Sequence, residues 1–212
     1  MNKHRIKYSF AFVGANALIS ETITVGEVFV ETGDWQKTYA TVRKNNLLHK
    51  IKEGTLVREF REIRKRLSML TPAQLQLLNI GERNQAQAMI LVGIVQTYDF
   101  IREFIVEVVR NKYLIHDRIL LDSDYQKFLD SKSATDESIE TLSDKSKQKI
   151  KTVVLRILTQ VGLLDDPKEK RILHPMLDSK SIKAIVSHDP LLLKCFFYSD
   201  QEIKYLAQQE YR

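Results

Sequence analysis

The stretch Val57-Arg58-Glu59-Phe60-Arg61-Glu62-Ile63-Arg64-Lys65-Arg66-Leu67-Ser68-Met69-Leu70 sets apolar residues at 57, 60, 63, 67 and 70. Intervals of three and four residues place them on one stripe of an α-helix, whereas a half-buried strand would alternate. Arg58, Arg61 and Lys65 point away from that stripe. Arg64 and Arg66 flank it on opposite sides, where their stems cover apolar neighbours and the guanidinium is expected to stay in water. Glu62 stands four residues after Arg58 and four before Arg66, so part of this charge is expected to pair within the helix.

Working outward, Arg43 to Arg66 holds nine basic residues (Arg43, Lys44, Lys50, Lys52, Arg58, Arg61, Arg64, Lys65, Arg66) against Glu53, Glu59 and Glu62. That surplus equals the +6 of the whole chain, which is otherwise balanced. A localised positive field suits a polyanion, because each phosphate contact releases condensed counterions. Nucleic acid is therefore the first partner to consider. Aromatic residues do not clearly interleave with the basic ones in sequence, so backbone contact with a duplex is favoured over stacking on a single strand, with RNA also open.

At 212 residues and 43% hydrophobic composition the chain can bury a full core, and its seven Gly and four Pro suit long helices better than frequent β turns. Asn16 to Glu31 is broadly apolar. Its Thr22–Val30 part also fits a strand, but Leu18, Val25, Val28 and Phe29 keep helical intervals. Asp34 then caps a helix running to about Leu48, and Thr71-Pro72 opens a short one ending near Gly81. Further helices are expected from about Asn84 to Leu114, broken near Tyr98, and from Asp122 or Ser123 to about Ser131. Polar residues between Asp130 and Ser146 read as a loop or hinge, dividing the chain into an N-terminal subdomain (1–130) and a C-terminal one (131–212).

After the hinge, Thr141-Leu142-Ser143-Asp144 starts a helix with Ile150, Val153, Val154, Ile157, Leu158 and Val161 on one face. Lys145, Gln148, Lys149, Thr152 and Arg156 form the opposite face. Short apolar runs around Leu163-Leu164 and Arg171-Ile172-Leu173 then suggest a small β-hairpin near 163–175, as in a winged helix-turn-helix. The same pattern also describes an ordinary helix-hairpin unit.

Several phrases stand in an order that resembles the BrxA family, small components of BREX bacteriophage-defence systems. They are Tyr8-Ser9-Phe10-Ala11-Phe12-Val13-Gly14-Ala15, Gly33-Asp34-Trp35, Arg61-Glu62-Ile63-Arg64-Lys65-Arg66-Leu67, Phe100-Ile101-Arg102-Glu103-Phe104-Ile105-Val106-Glu107-Val108 and Gly162-Leu163-Leu164-Asp165. The resemblance implies a cytoplasmic, mainly α, multi-helix protein similar to the NusB-type helical fold, with other BREX proteins as partners and nucleic acid as a ligand. It carries over no functional residue, and the tail Tyr198 to Arg212 extends beyond the family pattern.

No glycine-rich phosphate loop, His-Glu-x-x-His, Cys-x-x-Cys or Gly-x-Ser-x-Gly is present, and His4, His49, His116, His174 and His188 are isolated. Neither catalysis, a cofactor nor a metal is expected. Cys195, within Leu191-Leu192-Leu193-Lys194-Cys195-Phe196-Phe197, reads as a core thiol. Its being the single cysteine fits a reducing compartment. Met89 to Val109 is the most membrane-like stretch, but Asp99, Arg102, Glu103 and Glu107 oppose insertion, and Asn16, Ser20 and Glu21 interrupt any secretion signal after Lys3, Arg5 and Lys7. Glu103 and Glu107 share a helix face and repel unless a cation sits between them, which Arg61 or Arg64 could supply, solvent exposure being the equal alternative.

The sequence therefore points to a non-enzymatic accessory protein binding duplex DNA through Arg58, Arg61 and Lys65, with Arg43, Lys44 and Arg66 nearby and Lys145, Lys149 and Arg156 extending the surface. The alternative is a protein-interaction scaffold whose basic helix docks on an acidic partner in the defence complex.

Overall fold

Helical periodicity dominates the chain, and a computed structural model describes residues 8–210 as an assembly of helices. Lys3, His4, Arg5, Lys7, Tyr211 and Arg212 lie outside the described residues. A short 3-10 turn at Ala11–Gly14 leads through Leu18, in left-handed backbone conformation, into α1 (Ile19–Thr32). The β-branched run from Thr22 is thus helical. Gly33, at φ 61°, ends α1 as a left-handed cap. Asp34 Oδ1 then accepts from the Gln36 and Lys37 amides at 2.8 Å, which starts α2 (Trp35–Lys44).

Helix α3 (Glu53–Leu67) buries Leu56, Phe60, Ile63 and Leu67 and leaves Val57 half-exposed. Thr71 and Gln74 form a reciprocal capping box for α4 (Pro72–Ile80). In α5 (Arg83–Thr97) every residue from Ala88 to Val95 is buried. Such a helix, apolar all round, lies inside the protein, packed by α1, α3, α4 and α11 (Ser179–Val186). No helix of the described residues is long and apolar enough to cross a membrane. Gly93 permits a close approach here, because a Cβ at that position would stand 2.9 Å from the Arg66 carbonyl oxygen.

The backbone extends at Tyr98, breaking the helix where expected, and resumes as α6 (Asp99–Phe104). A π-helical turn at Ile105–Val109 then precedes α7 (Arg110–Leu114), an irregularity the sequence does not announce. After α8 (Asp122–Ser133) the polar segment is not an open loop. It contains α9 (Glu137–Glu140), and the buried Asp136 carboxylate accepts from the Ser138 amide at 2.7 Å and the distant Tyr8 amide at 2.9 Å. Ser143 caps α10 (Asp144–Gln160), whose inner face carries Ile150, Val153, Val154, Ile157 and Leu158.

No wing forms. Residues 163–173 pair only through isolated antiparallel bridges, Leu164 with Ile172 and Ile119 with Arg171, and no strand occurs among the described residues. Three short runs share these few hydrogen bonds, so none gains the ladder that a wing needs. A 3-10 turn (Pro190–Phe196) and α12 (Asp200–Glu210) complete the chain. Buried side chains from Tyr8 to Ile203, drawn from both sides of the polar segment, form one apolar cluster. Cys195 lies within it, and burial pushes its thiol up to about 12, as befits a core residue.

Candidate nucleic-acid interface

On α3 the apolar stripe turns inward, and Arg58, Arg61, Arg64 and Lys65 are exposed. At 3.6 residues per turn these four span an arc of about 120°. Arg64 and Lys65 occupy the last turn, where the negative end of the helix dipole favours cations. Among the described residues none of the four has a carboxylate partner. Lys65 Nζ sits 4.9 Å from the Tyr98 ring centroid, and the Arg64 guanidinium lies 5.7 Å from the Trp35 centroid.

Arg66 is not at the surface. It is 1% exposed, enclosed by the segment before α1 and by Tyr98. Its Nε donates to Glu62 Oε1 at 3.2 Å and its Nη1 to the Ala17 carbonyl at 3.0 Å, while Nη2 is buried without an acceptor among the described residues. The Tyr98 hydroxyl donates to the same Glu62 oxygen. Burial draws the guanidinium pKa below its ordinary value, opposed by the Glu62 charge. The expected exposed guanidinium was a helical-wheel reading, blind to chain segments that cover one flank.

The three acids of the segment each take a different base. Glu62 holds Arg66, Glu53 pairs with Arg43, and Glu59 Oε2 lies 2.9 Å from Lys50, which also meets Glu21 at 2.8 Å. Burial, the largest single influence, opposes ionisation of Glu21, but hydrogen bonds from Lys50, its own backbone and Ser20, with the Lys50 charge, together outweigh it and hold the carboxyl below its usual range. Lys44, Lys52, Arg58, Arg61, Arg64 and Lys65 remain, all exposed and without a carboxylate partner among the described residues. Six unpaired cations therefore remain on the segment; Arg66 is taken from the surface by burial, whereas Arg43 stays exposed in its pair with Glu53.

The cation between Glu103 and Glu107 is neither Arg61 nor Arg64. Lys132 of α8 supplies it, 2.6 Å from Glu103 and 2.7 Å from Glu107, and Arg102 pairs with Asp99 at 2.6 Å. Both arginines of α3 are thereby released from that structural role. The Tyr8 hydroxyl also donates to Glu103 at 2.6 Å, and burial together with that carboxylate holds the phenol above its ordinary range.

Lys145, Lys149 and Arg156 are exposed on α10 and likewise lack a carboxylate partner among the described residues, while Lys151 pairs with Asp122 at 3.0 Å. Helix α10 packs on the Ala11–Gly14 turn, and Gly14 adjoins Arg58, so both basic helices flank one turn. No hydrogen bond or ion pair joins the two sets among the described residues.

Sequence order also concealed an aromatic neighbour. Trp35 and Tyr39, one turn apart on α2, line a groove of about 380 Å³ together with Gln36, Val57, Phe60, Arg61 and Arg64. Trp35 stacks on Phe29 at 3.9 Å, and Tyr39 packs against Phe60 at 5.0 Å. Aromatic and basic residues absent from each other's sequence neighbourhood thus meet across a helix pair. Their signal was the i, i+4 spacing of Trp35 and Tyr39, legible only once α2 is known to face α3.

The model of the BrxA family matches residues 6–189. The chain belongs to the BrxA family. Among its relatives, a BREX protein BrxA of Bacillus cereus (strain H3081.97) is 28% identical over 121 residues, covering 57% of this chain and 60% of that protein. The chain thus matches less than two thirds of that relative's length. Another BREX protein BrxA, from Escherichia coli O9:H4 (strain HS), is 21% identical over 160 residues, covering 76% of this chain and 75% of the relative. A crystal structure of an uncharacterized protein from Magnetospirillum magneticum superposes with a TM-score of 0.78 at 18% identity, over 90% of this BrxA-family chain and 98% of that one. This last likeness shows the fold alone.

Proposed function

We propose that this chain is a non-enzymatic component of a BREX phage-defence system that works in the cytoplasm beside other BREX proteins and binds nucleic acid, duplex DNA foremost. The supporting observation is the stripe of Arg58, Arg61, Arg64 and Lys65, four exposed cations on one helix face with no carboxylate partner among the described residues. Unpaired surface cations at helical spacing are free to exchange their counterions for phosphates. Lys44 and Lys52 stand close in sequence, and Lys145, Lys149 and Arg156 extend the same chemistry on α10. Contacts of this kind position a protein on the backbone without reading bases, so little sequence preference is expected.

The test is charge reversal, Arg58→Glu, Arg61→Glu and Lys65→Glu together. All three side chains are exposed, so the fold should persist. Fluorescence anisotropy with labelled duplex DNA, run beside pull-down of the other BREX proteins, should show loss of DNA binding with partner association retained. Loss of partner association with DNA binding intact would reverse the assignment and make α3 a docking surface for an acidic protein.

A further inference from the structure

We propose that the groove between α2 and α3 holds one unpaired nucleobase, stacked against Trp35 and Tyr39, with Arg61 and Arg64 on its flanking phosphates. This subsite rests on the nucleic-acid reading of α3 and adds to it a preference for single-stranded or frayed ends.

Three features on the groove carry the inference. Its size, about 380 Å³, falls at the lower end of small-ligand sites, which run from about 300 to 1,000 Å³. Its walls are apolar and aromatic (Trp35, Tyr39, Val57, Phe60), and stacking on such rings suits any base because every base has a π face. Its lining carries two cations, Arg61 and Arg64, and no acidic residue, and neither arginine has a carboxylate partner among the described residues. That charge favours an anionic occupant over an apolar peptide.

Trp35 already has one face on Phe29, and Arg64 stands over its ring. An exposed cation–π contact is weak and easily exchanged. Arg64 therefore moves from the indole to a phosphate as the base arrives, and the ring face it leaves receives the base. A paired base inside a closed duplex has no exposed face to offer, so occupancy requires an overhang, a nick or a frayed end.

Trp35 is the chain's single tryptophan, so its fluorescence reports the groove directly. The full chain is titrated with three labelled DNAs: a blunt duplex, the same duplex with a short single-stranded overhang, and that overhang made abasic. Label anisotropy and Trp35 emission are read together. The base-bearing overhang should quench Trp35 and bind about 5- to 150-fold more tightly than the abasic one, the range that one stacked base contributes. Tyr39→Leu, which keeps apolar contact with Phe60, should narrow that difference and leave blunt-duplex affinity unchanged. Equal binding of the two overhangs without quenching, while the blunt duplex still binds, would overturn the subsite and leave the α3 reading standing. Absence of binding to all three DNAs would overturn both. Quenching by an acidic peptide as strong as that by the overhang would also overturn the base assignment.

Discussion

Arg66→Ala and Arg61→Ala lie five residues apart on α3 and should behave as opposites. Arg66 is buried, and its removal leaves Glu62, 8% exposed, with only the Tyr98 hydroxyl, while the Ala17 carbonyl loses its donor. Breaking a buried pair by deleting one partner costs about 3–5 kcal/mol, most of it from the charge left behind. In a chain of this length each kcal/mol lowers the melting temperature by roughly 2–4 °C, so Arg66→Ala should melt about 6–20 °C lower. Arg61, exposed and without an ion-pair partner among the described residues, should shift melting by no more than about 2 °C. Circular dichroism melts and urea titrations at fixed ionic strength measure both. The double change Arg66→Met with Glu62→Gln removes both charges and should recover part of the loss. Arg66→Ala melting with wild type, or Arg61→Ala melting as low as Arg66→Ala, would refute the division of α3 into a structural and an exposed arginine.

Gly93→Ala should destabilise by up to about 2 kcal/mol in urea titration, since crowding the Arg66 carbonyl outweighs the roughly 1 kcal/mol of helix propensity gained. Gly54→Ala, with nothing within 4 Å of its Cβ among the described residues, should be neutral or stabilising. Lys132→Met leaves Glu103 and Glu107 facing each other and should cost about 1–3 kcal/mol at pH 7. The Glu21 carboxyl titrates below its ordinary 4.5 in the fold, so its contribution is complete above that pH and is lost as pH falls through the lowered value. Glu21→Gln should accordingly flatten the acid limb of the stability–pH profile.

The helices themselves were readable because their signals are local. The 57–60–63–67 spacing, the Asp34 and Ser143 caps and the Thr71-Pro72 start each depend on residues within a turn or two of one another. The misread features all depend on contacts distant in sequence. Arg66 looked exposed until Ala17 and Tyr98, 49 and 32 positions away, closed over it. The cation for Glu103 and Glu107 came from α8 rather than α3, and Trp35 met Arg64 only through packing of α2 on α3. The π-helical turn at Ile105–Val109 has no local signature in an apolar run that also fits a regular α-helix. The charge surplus was fully legible as a number. Which residues carry it was not, because pairing across elements decides that.

The most direct measurement of the central claim is the salt dependence of blunt-duplex DNA binding by the full chain. If the exposed cations of α3 and their neighbours neutralise about four to six phosphates, log affinity should fall against log salt with a slope of roughly −4 to −5. The Arg58→Glu, Arg61→Glu, Lys65→Glu variant should bind weakly with a much shallower slope. A flat salt response, or an unchanged slope in that variant, would contradict the account.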